Sequence, residues 1–252
     1  MDLELKGKRA IVTGGSRGIG KVIAWQLAAE GVDVVIAARG AEKLRATAKE
    51  IAAETGRRII PVTVDTSNKA SVDALIKSAV AELGGLDILV NNAALPGGIS
   101  TATKLEQVID EEALEDINIK VIGYLRTARA AAPHLVANGW GRIINIGGLA
   151  IHKTGRPIAT LRNVGVAAVT KNLADELGPQ GVNVVAVHPG ATRTERTDPA
   201  KERELAANSS IGRIVDAKEV AYVVAFLASP KSASINGDAI KVGGGIPGSI
   251  YY

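Results

Sequence analysis

Three groups of residues in this chain have types and spacings that could do chemistry. The first is "IVTGGSRGIGKVIAWQLA", where Thr13, Gly14, Gly18 and Gly20 stand between an apolar run and a helical pattern. Glycines so spaced allow a tight turn and a close backbone approach to a pyrophosphate, which sits where the free N–H groups of a helix start point. The second group decides which dinucleotide fits. The next apolar run ends "IAARG", so Ala38 and Arg39 replace the carboxylate that would bind an adenosine ribose. Arg17, inside the glycine loop, lies near the same ribose in this architecture. Two guanidiniums without a carboxylate suit a 2′-phosphate, so the expected cofactor is NADP(H).

The third group could move protons or hold charge. His152 and Lys153 in "GGLAIHKTG" follow the fifth apolar run, at the edge where ligands bind in open sheets. The intrinsic pKa of histidine lies near neutrality, so His152 reads either as a general acid or as a plain loop residue. His188 precedes a Pro-Gly turn and reads as structural, and His134 as a helix-end residue. Arg193 and Arg196 in "ATRTERT" either clamp a carboxylate or are surface charge. Trp25 and Trp140 read as packing residues.

The elements that must position these groups alternate. Apolar, β-branched runs recur at 9–13, 33–38, 59–64, 86–91, 142–146, 183–187 and 239–242. None alternates with polar residues, as expected of strands buried on both faces of a parallel sheet. Helical patterns lie between them, two of which end at glycine caps, Gly31 and Gly56. This order predicts right-handed crossovers with helices on both faces. No linker or repeat divides the chain, and only "GGGIPGSIYY" reads as loop, so one domain over 1–252 is expected.

Composition narrows the classes. Apolar residues make up 46% of 252, ample for a sizeable core. The 30 basic and 26 acidic residues are dispersed, which argues against nucleic acid as a partner. Cysteine is absent, which excludes disulfides, thiol nucleophiles and thiolate metal sites, and no metal is expected. The start has no apolar core of signal-peptide length and no run could span a bilayer, so a soluble, cytoplasmic chain is expected.

With these residues the chain resembles the short-chain dehydrogenase/reductase family along nearly its whole length. The match rests on "TGGSRGIG" (13–20), Asp65 in "VDTS", "NNAA" (91–94), "GRIINI" (141–146), "HPGATRT" (188–194) and "INGDAIKVGGG" (235–245). The resemblance implies an α/β fold, a single-domain Rossmann-type doubly wound parallel sheet, acting as an oxidoreductase on a small molecule. It also implies a homotetramer or homodimer, in which the Tyr251-Tyr252 end could reach a neighbour. In the cofactor site it implies Gly14, Ser16, Arg17, Gly18, Ile19, Gly20 and Arg39. To these it adds Asp65 and Thr66 at the adenine, Asn91 and Ala93 along the cleft, and Pro189, Gly190, Thr192 and Thr194 at the nicotinamide end.

The family usually works with an Asn, a Ser, a Tyr, and a Lys four residues after the Tyr. An i,i+4 pair shares a helix face, so the ammonium lowers the phenol pKa and the phenol protonates the nascent alkoxide. Here gap-free counting puts Ala159 at the Tyr position, Asn163 at the Lys position and Lys120 at the Asn position. Asn118 would need a two-residue shift, and Gly147 or Gly148 stands for the Ser. Of Tyr124, Tyr222, Tyr251 and Tyr252, none has a lysine four residues on. These changes resemble a tyrosine-less branch of the family, in which a lysine precedes a Gly/Ala-Tyr pair, as in "KVIGY" (120–124). Some members of that branch, in antibiotic biosynthesis, add hydride to a conjugated double bond.

Ketone reduction makes a basic alkoxide and needs a proton donor. Conjugate addition makes a delocalised enolate that a cation can hold. Lys120 reads either as that cation or as a solvent-facing helix lysine, and Lys120, Tyr124 and His152 are the candidate catalytic set. The leading expectation is an NADPH-dependent reductase of an activated alkene or carbonyl. The alternatives are a non-catalytic NADP(H)-binding sensor or partner subunit, and a lyase or isomerase on the same fold.

Overall fold

The computed structural model describes residues 1–95 and 97–248. Strand β1 (Arg9–Thr13) passes through the glycine loop into α1 (Gly18–Ala29), followed by β2 (Asp33–Ala38), α2 (Ala41–Thr55), β3 (Ile59–Thr63) and α3 (Lys69–Leu83). Next come β4 (Ile88–Asn91), α4 (Asp110–Ile117), a π-helical turn (Asn118–Ile122), α5 (Gly123–Ala137) and β5 (Gly141–Ile146). The chain continues with α6 (Pro157–Leu177), β6 (Val182–Pro189), β7 (Thr192–Arg193), α7 (Pro199–Ala207), β8 (Val215–Asp216), α8 (Ala217–Ala228) and β9 (Ala239–Val242).

Seven strands form one parallel sheet in the order β3-β2-β1-β4-β5-β6-β9, and β7 pairs with β8. The sheet has a helical layer on each face because neighbouring strand residues point to opposite sides. Val12, Ile36, Val90 and Val187 pack on α1, α2 and α8, while Ile11, Val35, Leu89 and Val184 pack on α3, α5 and α6. Both faces of each central strand are therefore apolar, which is why the strands read as continuous apolar runs. The strand order reverses between β1 and β4, and a crevice opens there at the carboxyl ends of the strands.

Sequence and structure differ by one or two residues at several strand ends. The largest change is in β6, which runs on to Pro189 and so carries His188 into the sheet. Residues 243–248 form no helix or strand, and the Tyr251-Tyr252 end lies outside the described residues. Among the described residues, no helix is long and apolar enough to cross a membrane, and no cluster of His, Asp and Glu could hold a metal.

Candidate active site

The glycine loop turns sharply after β1, with Gly14 at φ +68° and Gly18 at φ +58°. A Cβ on Gly20 would stand 2.4 Å from the Gly14 carbonyl oxygen, so loop and helix meet backbone to backbone. The Thr13 hydroxyl accepts the amides of Asn92 and Ala93 at 3.0 Å, tying the loop to the segment after β4. At the head of α1 the Gly18 amide donates to both oxygens of Glu195, at 2.9 and 3.2 Å. The free N–H there holds an anionic oxygen, as the start of a helix favours, so this cradle fits a pyrophosphate oxygen.

A cleft of about 770 Å³ extends from this loop. Gly14, Ser16, Arg17, Ile19, Gly20 and Ala93 line it, as do Arg39, Asp65 and Thr66, the residues expected at the adenosine end. Lys43, in the first turn of α2, joins them, a third cation that sequence reasoning missed. Its signal was present, since α2 opens at Gly40 without a side-chain cap and so offers free N–H groups beside Arg39. The Asp65 carboxylate accepts the hydroxyl and amide of Ser67, which hold its pKa below the usual carboxylate range. Asn91 corrects the expectation of a cleft residue. Its side chain is buried, donating to Asn145 and accepting from Thr127, and the neighbouring Asn92 faces the cleft instead.

At the other end, Pro189, Gly190, Thr192 and Thr194 meet Lys120, Gly147, Gly148, Ala159 and Asn163. The positions that depart from the family's four residues therefore gather at one spot. Lys120 reaches it from the π-helical turn, a wider coil that recurs at functional sites. The same turn leaves Asn118 elsewhere, its side chain accepting from Arg126 at 2.7 Å.

Lys120 is 4% exposed, and its ammonium donates to the Gly147 carbonyl at 3.0 Å and to Asn163 Oδ1 at 3.1 Å. Asn163 is itself fixed, because its Nδ2 donates to the Ala159 carbonyl one turn back at 2.7 Å. An ammonium has three donors, so one remains for a ligand in the cleft. Burial lowers the Lys120 pKa to about 7, helped by the Arg162 cation and opposed by Asp116. Arg162 and Asp116 form a buried ion pair at 2.8 Å, in which Asp116 also accepts the Ile99 amide.

Of the two glycines that stand for the Ser, Gly147 cannot simply be refilled, whereas a Cβ on Gly148 would lie 3.3 Å from Asn163 Oδ1. A Cβ on Gly147 would stand 2.0 Å from His188 Nδ1, which accepts the Gly148 amide at 3.1 Å. Burial holds His188 at a pKa of about 4, so it is neutral and serves the turn.

Neither Tyr124 nor His152 lines the cleft. The Tyr124 hydroxyl is buried and donates to the Ile146 carbonyl at 3.0 Å, and burial raises its pKa. Among the described residues no tyrosine lines the cleft. His152 is exposed in a 3-10 turn, and neither the cleft nor the neighbouring cavity is lined by it. Partial burial and the Lys241 cation lower its pKa.

The comparisons decide the family. The model described as "Enoyl-(Acyl carrier protein) reductase" matches residues 14–247. The chain is 34% identical over 249 residues to the 3-oxoacyl-[acyl-carrier-protein] reductase FabG of Vibrio cholerae, covering 97% of this chain and 99% of that one. The chain belongs to the short-chain dehydrogenase/reductase family. Its fold superposes on L-sorbose reductase from Gluconobacter frateurii, solved with NADPH and L-sorbose, at a TM-score of 0.92 and 28% identity, covering 99% and 100% of the two chains. YwfH, an NADPH-dependent reductase involved in bacilysin biosynthesis, matches at a TM-score of 0.89 and 26% identity, covering 96% and 99%.

Proposed function

We propose that this chain is an NADP(H)-dependent oxidoreductase that reduces a small activated alkene or carbonyl, with Lys120 as the cation at the reacting oxygen. The observation that carries this reading is the buried Lys120 ammonium, clamped by Gly147 and Asn163 with one donor left for the cleft. The relatives named above, one a reductase solved with NADPH, support the cofactor, as do Arg17, Arg39 and Lys43 at the adenosine end.

The Gly18 amide would hold a diphosphate oxygen, and the three cations would hold a 2′-phosphate. NADPH supplies the hydride when bound. As hydride reaches the β-carbon of an enone, the C=C electron pair moves toward oxygen and an enolate forms. Lys120 would stabilise that charge by donating its remaining N–H from an almost fully buried side chain, where such a donor acts strongly. With a pKa of about 7, Lys120 can also hand over a proton and regain one from solvent. A saturated ketone would leave a far more basic oxygen, for which no phenol among the described residues lines the cleft. This favours the conjugated substrate and membership of the tyrosine-less branch.

A homo-oligomer fits the exposed apolar side chains Ile122, Leu125, Leu161 and Val164 on and beside α5 and α6. The test is nicotinamide absorbance with NADPH and panels of enones, unsaturated acids and simple ketones. Turnover of enones that drops in Lys120→Ala upholds the reading. Ordinary rates on saturated ketones would refute the role given to Lys120. Tight NADPH binding without turnover would identify a sensor or partner subunit, and substrate change without NADPH oxidation a lyase or isomerase.

A further inference from the structure

A second cavity of about 440 Å³ adjoins the cleft and shares Ala150, Arg156, Pro189 and Gly190 with it. We propose that this cavity takes a small carboxylate with an apolar body, its charge held by Lys153 and Arg156. The inference rests on the reading of Lys120 as the cation at the reacting oxygen, because that reading places the reactive carbon beside the shared wall.

The size lies within the range of roughly 300–1,000 Å³ typical of small-molecule sites. One part of the lining is apolar, with Leu149, Leu205, Ile214 and Ile246. Among the described residues, the only charged side chains on it are Lys153 and Arg156, and no carboxylate lines it to balance them. The Lys153 ammonium has no hydrogen bond or ion pair among the described residues. Arg156 spends Nη2 on the carbonyls of Gly97 and Ser100, at 3.0 and 3.2 Å, which anchors the side chain and leaves Nε and Nη1 uncommitted. A fork anchored on one arm is prepared for an anion on the other. The Thr160 hydroxyl contributes no recognition of its own, since it donates to the Ala150 and Lys153 carbonyls, fixing the turn that presents Lys153.

The sequence had offered Arg193 and Arg196 as a carboxylate clamp. Arg193 is instead neutralised by Glu202 and lies near Asp216, so its charge is already answered. Arg196 lines the cleft but not the second cavity, whose positive charge comes from Lys153 and Arg156.

The probes that test this are trans-3-benzoylacrylic acid and its methyl ester, which differ in charge while keeping the same enone. The ester is the better electrophile, so chemistry alone would favour it. With NADPH, kcat/KM for the acid should exceed that for the ester by about tenfold, carried by KM. The ratio should fall toward one in Lys153→Met and in Arg156→Gln, the first of which breaks no side-chain hydrogen bond or ion pair among the described residues. An ester used as well as the acid would overturn the proposal, as would an acid preference that survives in both variants. In parallel, calorimetry on the NADP⁺ complex compares the saturated 3-benzoylpropionate with its methyl ester. Tighter binding of the acid with no enone turnover would uphold the cavity's assignment and fail the reductase reading. Equal binding, or none, would fail the assignment whatever the turnover.

Discussion

The two ends of the cleft have followed different rules. At the glycine loop the family pattern is kept, and most contacts there are made by backbone: Gly14 and Gly20 packed on their surroundings, and the Gly18 amide at the head of α1. At the reacting end the pattern is replaced, and what gathers there is Lys120, Gly147, Ala159 and Asn163. Backbone recognition tolerates little change because a single Cβ would close the approach. A side-chain constellation can be exchanged as a set, provided a new one holds itself together. The Lys120–Asn163–Ala159 chain of hydrogen bonds is such a set.

The sharpest way to break this comparison is Lys120→Met. It should cost roughly 100- to 1,000-fold in kcat on enones while NADPH binding, followed by fluorescence, changes little. Equal damage to both would mean that the two ends are one unit. At the other end, the double variant Arg17→Ala/Arg39→Ala should lower the preference for NADPH over NADH by roughly 10- to 100-fold, read from the two kcat/KM values.

The pH profile distinguishes the ends further. Lys120 must be protonated to act, so log kcat/KM should be level below about pH 7 and fall about tenfold per unit above it. Stability should move the other way. Between about 7 and the ordinary lysine value of 10.5, the unfolded chain binds a proton that the native state does not, so stability rises with pH across that window. Below about 7 both states are protonated and the cost of burying the charge is fully present. Lys120→Met should flatten that slope, measurable by urea unfolding. The smallest effect is expected from Gly147→Ser, which sets a side chain against the His188 ring at one of the two glycines that stand for the family's Ser. It should lower stability by about 1–3 kcal/mol, seen as a reduced Tm, without raising ketone reduction.

What could be read from the sequence follows the same division. Strands buried on both faces announce themselves as apolar runs, and the loop glycines are local in sequence, so both were legible. Asn91 and Asn92 were not separable, because which of two adjacent residues faces the cleft depends on where β4 ends. Tyr124 was misplaced for a similar reason. Its hydroxyl meets the Ile146 carbonyl while Lys120 meets Gly147, one residue further along, and the π-helical turn between them has no sequence signature. The Arg162–Asp116 pair, 46 residues apart, and the Glu195 contact to Gly18, 177 apart, depend on the closed fold and leave no local trace.

The Glu195 contact links the glycine loop to the second cavity. Glu195 lies on the stretch that leads into α7, whose Leu205 walls that cavity. On the proposed reading a phosphate oxygen of the dinucleotide would take the same Gly18 amide, so the loop that holds the nucleotide and the strap that borders the second cavity share one N–H.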